Sequence, residues 1–159
     1  MSIVYRTVMA ADAPILLAAP AGLFDNAIDP EQLRAFLADD RHAMIVALDP
    51  ADNIPVAFVS ANGYLHPDKP PQAWINELST LEAYRGRGIG AELVRRMLGL
   101  LAERGYGQVW LATEHDNAAA RAVYRRVMAE RGGREDPAVV VYEFPLGPGD
   151  SLRPRGDVG

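Results

Sequence analysis

Apolar and polar positions along this chain change period several times, and each change marks an element. SIVYRTVM, close to the N-terminus, is dense in β-branched residues and tyrosine and predicts a strand. Asp12 with Pro14 starts a helix through APILLAAPAGLF, which Pro20 should interrupt or end. DPEQLRAFLADD opens with Asp29 as N-cap, Pro30 at the first helical position and Gln32 in reach for capping. HAMIVALDPADNIPVAFVSANGYL reads as two strands joined at DPADN, a hairpin. HPDKPP is a proline-rich loop, and AWINELST alternates as a strand. From Gly88 onward Ile89, Leu93, Met97, Leu100 and Leu101 recur at helical spacing until Gly105 stops the run. GQVWLAT predicts another strand, DNAAARAVYRRVMAER another helix ending at Gly132 and Gly133, and PAVVVYEFPL a last strand. GPGDSLRPRGDVG, residues 147–159, is polar and rich in Gly and Pro, the composition of a disordered tail. The order is a mixed α/β domain with a central sheet.

Composition narrows the class of protein. A chain of 159 residues suits one domain with a real core, and 49% hydrophobic with 23% charged residues is ordinary globular composition. The absence of cysteine removes disulfides, thiolate metal sites and cysteine nucleophiles. No apolar run approaches the roughly 20 residues of a membrane span, and the N-terminus lacks a basic-then-apolar signal pattern, so the expectation is a cytoplasmic protein without a membrane partner. A net charge of −5 argues against a nucleic-acid partner.

Candidate chemistry concentrates in YRGRGIGAEL. Glycines there serve either a tight strand-to-helix turn or the close approach of a phosphate. The amides of Gly86 to Gly90 open a helix, where unpaired donors and the macrodipole favour an anion, and Arg85 and Arg87 add positive charge suited to a polyanion. Gly86, Gly88 and Ala91 also satisfy a dinucleotide fingerprint, and Glu114 stands roughly where a ribose-binding acid is expected. Against that reading, NELSTLEAYR puts polar residues where a buried strand should lead into the glycines, and too little chain follows for such a sheet. A phosphate loop of the Gly-Lys-Ser/Thr kind is absent.

Arg85-Gly86-Arg87-Gly88-Ile89-Gly90 resembles the R-x-x-G-x-G pyrophosphate loop of the GNAT superfamily of acetyl-CoA-dependent N-acetyltransferases, and the supporting signatures follow in order. INELST is similar to that family's splayed central strand, and TEHDNAAARAVY to its second cofactor motif, with Asn117, Ala120 and Tyr124 matching. The resemblance spans about residues 3–146 and implies a single domain over 1–146, its mixed, mostly antiparallel twisted sheet flanked by helices and its splayed strands holding acetyl-CoA. It implies acetyl transfer to a primary amine by direct attack, no metal, and a homodimer. Arg85, Gly86, Arg87, Gly88, Ile89, Gly90 and Ala91 would cradle the pyrophosphate. Leu78 would hold the thioester carbonyl through its N–H, Thr80 would pair with the pantetheine arm, and Asn117 and Ala120 would belong to the second cofactor motif.

Glu77 lies among apolar neighbours in a strand, where a carboxylate is costly unless paired or facing a cleft. Partial burial raises its pKa, which suits a general base. Tyr124 reads as a core aromatic by helical spacing and as the general acid for the departing thiolate by resemblance. Asn117 reads by position as an N-cap. His42 and His66 stand isolated, and His115 beside Glu114 is a weaker catalytic candidate; three scattered histidines do not make a metal site. One departure from the family pattern is Met128, where a helix-ending glycine is usual, so the Tyr124 helix should run about one turn longer.

The acceptor is read from charge. Asp12, Asp25, Asp29, Glu31, Asp39 and Asp40 face a single base, Arg34, in the helical segment that would wall the acceptor side. Such a segment attracts a cationic amine, or is simply a solvated face. LFD, HPDKPPQAWINEL and TEHDNAAARAVY resemble the aminoglycoside 3-N-acetyltransferase branch, implying a small cationic acceptor such as an aminoglycoside. A peptide N-terminus or another metabolite amine, and a non-enzymatic CoA-binding module, are the alternatives.

Overall fold

A computed structural model describes residues 2–147. Five strands form one sheet in the order β1 (Val4–Thr7), β2 (His42–Asp49), β3 (Ile54–Tyr64), β4 (Gln72–Thr80), β5 (Gln108–Trp110). The first four are antiparallel neighbours, and β5 joins β4 in parallel. Helices α1 (Ala13–Leu17) and α2 (Pro30–Ala38) cover one face; α3 (Ile89–Glu103) and α4 (Ala118–Arg131) cover the other. The expected mixed sheet flanked by helices is therefore present. Among the described residues no helix is long and apolar enough to cross a membrane.

Each face buries its own core. Alternation along β3 sends Ala57, Val59 and Ala61 toward Leu93, Val94, Met97 and Leu101 of α3, and Phe58 toward Leu16, Leu23 and Leu33. The α2 start behaves as its sequence predicts: the Asp29 carboxylate accepts from the amides of Glu31 and Gln32, with Pro30 at the first position. Pro20 limits the helix expected from Asp12, and α1 ends at Leu17. The extended α4 is also present, running to Arg131 before Gly132 closes it.

Two strand expectations need correction. GQVWLAT yields only Gln108–Trp110, and Leu111 to Asn117 continue without regular structure. PAVVVYEFPL forms no strand, although its residues favour one; Val139, Val140, Val141, Tyr142, Phe144 and Leu146 are exposed. The reason lies just upstream, where Glu135 accepts from both Arg121 and Arg125 and ties the chain back against α4. High β propensity describes fit to a pleated, half-buried surface, and that surface is missing here. Most of the expected tail, residues 148–159, lies outside the described residues.

Candidate active site

The site forms where β4 loses its parallel neighbour. Pairing with β5 runs only from Gln72–Gln108 to Trp74–Trp110, so Ile75 to Thr80 leave one edge of β4 open. Backbone donors and acceptors on such an edge are free to pair with an extended ligand.

A bulge sets what this stretch presents. Ile75 pairs with Ala61 and Glu77 with the next residue, Ser60, so Asn76 is the extra residue of β4. Plain alternation would put Glu77 on the face of Ile75, inside the α3 core. The extra residue reverses the parity. Leu78 takes the α3 side and Glu77 shares the α1–α2 side with Ser60 and Phe58. Burial, with the Asp25 charge adding to it, pushes the Glu77 carboxyl above the ordinary glutamate value.

Beyond Thr80 the chain turns through Glu82–Tyr84 into the glycine loop. Gly86 and Gly88 have φ of +74° and +79°, in the left-handed region, and Gly88 is the N-cap of α3. Ile89 and Ala91 bury their side chains, so they offer a ligand only their backbone amides, which with that of Gly90 lack a helical partner in the first turn. The loop is braced from below. Tyr84 donates from its hydroxyl to Asp49 at 2.6 Å, and the Arg87 guanidinium lies 4.8 Å from the Tyr84 ring while donating to the Ala83 carbonyl. Arg85 donates to the Thr80 carbonyl, so the Thr80 backbone, expected to pair with the pantetheine arm, already carries one contact within the chain. Exposed amides at a helix N-terminus, two flanking guanidiniums and left-handed glycines fit a pyrophosphate.

On the far side, Asn117 accepts from the Ala120 amide at 3.0 Å and caps α4, as its position predicted. This bond occupies both expected cofactor contacts except the Asn117 carboxamide N–H groups. Tyr124 is half-buried against the α3 core; burial first, then the Glu114 charge, holds its phenol above the ordinary value of 10. A Cβ on Gly90 would lie 3.7 Å from both Leu78 of β4 and Val123 of α4, so β4 and α4 approach each other across this glycine, on the face of the sheet opposite to Glu77.

The remaining candidates separate clearly. His42 stacks edge-on with Phe36, His66 contacts Gln72, and His115 contributes its carbonyl to Arg121; among the described residues no hydrogen bond or ring contact joins a histidine to Glu77 or Tyr124. Of the six acids on the acceptor side, Asp12 pairs with Arg6, Asp29 caps α2 and Asp39 binds Arg41. Asp25 instead acts on Glu77. Sequence reading missed Ser60, the one buried polar residue among the described residues, directly across from Glu77. It also missed Asn76, whose weak strand preference between Ile75 and Glu77 was the available signal.

Comparison with known proteins bears on family and fold. A family profile described as Acetyltransferase (GNAT) family matches residues 15–129. An L-2,4-diaminobutyric acid acetyltransferase of Streptomyces coelicolor is 32% identical over 98 residues, covering 60% of this chain and 56% of that protein. An N-alpha-acetyltransferase of Arabidopsis thaliana is 34% identical over 82 residues, covering 52% of this chain and 40% of that protein. The chain thus spans about half the length of these relatives. Among solved structures, an aminoglycoside acetyltransferase from an uncultured soil metagenomic sample, in complex with sisomicin, superposes with a TM-score of 0.75 at 19% identity, covering 91% of this chain and 97% of the other.

Proposed function

Because the chain belongs to the GNAT acetyltransferase family, we propose that it transfers acetyl from acetyl-CoA to a primary amine of a small cationic acceptor. The observation that carries this reading is Glu77: a bulge turns it onto the acceptor face of the strand segment whose edge lies open to an acyl donor. The loop amides from Gly86 to Ala91 hold the pyrophosphate, with Arg85 and Arg87 beside it. The open edge at Leu78 and Thr80 receives the thioester arm, and the Leu78 N–H hydrogen-bonds the thioester carbonyl as it gains charge. Glu77 takes a proton from the acceptor ammonium, directly or through water. The amine nitrogen then attacks the carbonyl carbon, an N–C bond forms, the C–S bond breaks with its electron pair leaving on sulfur, and the second proton lost from nitrogen passes to solvent, from which the thiolate is protonated.

Tyr124 faces that sulfur with a hydroxyl that stays protonated at neutral pH. Burial, with the Glu114 charge adding to it, holds this phenol above its ordinary value, which makes it a poor proton donor to a thiolate. Tyr124 therefore serves chiefly as a hydrogen-bond donor to the developing thiolate. An acidic residue close to Glu77 supports a cationic acceptor, and relatives whose names specify a diamino acid and aminoglycosides support the same class. The aminoglycoside is the leading acceptor, with a role in resistance following from it. A peptide N-terminus is the second reading, favoured by similarity to an N-alpha-acetyltransferase. We place the enzyme in the cytoplasm as a homodimer, the latter supported by the exposed apolar run at Val139 to Leu146.

The test is release of free CoA thiol from acetyl-CoA over a panel of alkylamines, aminoglycosides, diamino acids and short peptides. Cationic small amines should be acetylated, with peptide activity lower. Acetyl-CoA binding without thiol release on any amine would leave a CoA-binding module in place of an enzyme.

A further inference from the structure

We propose that Asp25 selects the acceptor by holding its second cationic nitrogen while the first sits at Glu77, so that diamines and larger polycations are preferred over single amines. This rests on the reading of Glu77 as the base, and it assigns to one residue what the sequence spread over six acids.

Placement comes first. The Phe24 ring stacks on Phe58 with centroids 4.2 Å apart and planes 19° from parallel. Phe58 pairs with Ser79 and its face-mate Ser60 with Glu77, so the stack fixes the chain at Phe24 beside the Glu77 row, and Asp25 is the next residue. Second, Asp25 makes no hydrogen bond or ion pair with any described residue, whereas Asp12, Asp29 and Asp39 are each committed to one. Third, the same face offers room for the acceptor's body. Glu77 lies across from Ser60, and Ser60 across from Met44, which puts the Met44 backbone roughly 10 Å from that of Glu77 at the usual strand spacing. There a cleft of about 490 Å³ begins, lined by Phe24, Ile28, Phe36 and Met44. Phe24 and Met44 line this cleft and also belong to the row beside Glu77, so an acceptor bound at both would run past Asp25.

The charge balance favours a dication. Among the described residues Asp25 is the charged side chain that bears on Glu77: β3 between Ile54 and Tyr64 carries no Asp, Glu, Lys, Arg or His, and neither does α1 on the same face, while Asp29 of α2 is committed to its cap. The Asp25 charge disfavours ionisation of Glu77, and an ammonium held by Asp25 offsets that charge. A single amine at Glu77 leaves Asp25 uncompensated.

The experiment compares pentylamine with cadaverine, amines of matched length, on the full chain at saturating acetyl-CoA. In the wild type cadaverine should have the lower KM by roughly tenfold. Asp25→Asn should raise the cadaverine KM by about that factor and leave kcat nearly unchanged. It should also move the acidic limb for pentylamine to lower pH, because removing the like charge makes Glu77 easier to ionise. A merely structural Asp25 would not shift that limb. Asp40→Asn, an acid outside the row, should change neither parameter. Protection of the fold against heat by cadaverine, lost in Asp25→Asn, gives a readout independent of turnover. The proposal is overturned if Asp25→Asn keeps both the wild-type cadaverine KM and the wild-type thermal protection. Failure of the base assignment shows separately, as wild-type turnover in Glu77→Gln with the Asp25 effect on KM intact.

Discussion

Two glycines, two positions apart, should respond to the same substitution with opposite changes in stability. Gly88 has φ of +79°, and a Cβ there would meet nothing within 4 Å. Alanine at this position costs backbone strain alone, about 1–2 kcal/mol for the left-handed conformation. At this chain length that lowers Tm by about 2–8 °C. Gly90 has no such constraint, and its added methyl would make ordinary contacts at 3.7 Å with Leu78 and Val123. Relief from the entropic cost of glycine in a helix makes Gly90→Ala more stable by roughly 0.5–1 kcal/mol, or a few degrees. The same methyl, however, enters the gap between β4 and α4 that the thioester arm is proposed to occupy. Overfilling a packed space costs about 1–3 kcal/mol, equivalent to a five- to 150-fold loss of acetyl-CoA affinity. Thermal unfolding gives the first pair of signs and titration calorimetry with acetyl-CoA gives the affinity. A Gly90→Ala protein that is more stable yet binds acetyl-CoA as the wild type does would refute the placement of the arm.

Glu77→Gln should lower turnover by about 10²–10⁴ and abolish the acidic limb of the pH–rate profile, which in the wild type lies above the ordinary glutamate value because burial raises that pKa. The raised pKa means the folded state loses stability as pH climbs through it, so the same variant should melt higher than wild type at neutral pH, which a Tm series across pH checks. Tyr124→Phe should cost only about tenfold in kcat with acetyl-CoA affinity intact, since poor proton donation limits what the phenol contributes; a loss beyond a thousandfold in single-turnover kinetics would make full proton donation the dominant step. Light scattering should find a dimer, and Val140→Lys with Tyr142→Lys should shift it toward monomer if the exposed apolar run forms the contact.

What was legible in the sequence was local chemistry. Asp29 with Pro30 marks a helix start by hydrogen bonds that reach two and three residues along the chain, and the structure makes them. Gly86 and Gly88 signal a backbone conformation belonging to their own φ angles. The hairpin from His42 to Tyr64 announces itself through its turn. What was not legible depends on pairing at a distance. PAVVVYEFPL has the residues of a strand but no partner, because Glu135 is bound by Arg121 and Arg125 on α4 before the segment begins. The Thr80 carbonyl is taken by Arg85, a contact no spacing rule specifies.

Glu77 shows why such distant pairing matters most at the site itself. Its identity and neighbours mark a carboxylate in a strand, yet which face it occupies is a parity counted from the nearest bulge. Counting from Ile75 by twos puts Glu77 in the α3 core, where an unpaired carboxylate costs several kcal/mol and reaches no acceptor. Asn76, unpaired and exposed, shifts that count by one and turns the carboxylate toward Ser60, Phe58 and the loop that carries Asp25. The sheet then keeps its apolar alternation on both sides of the bulge, with Ala61 facing Ile75 and Val59 facing Leu78 on one core. A single extra residue thus exposes a charged group at the centre of a buried sheet while leaving the packing around it regular. At the crossing β3 supplies a small, polar partner, Ser60, buried directly across from Glu77, and a large apolar residue there would crowd the carboxylate it faces.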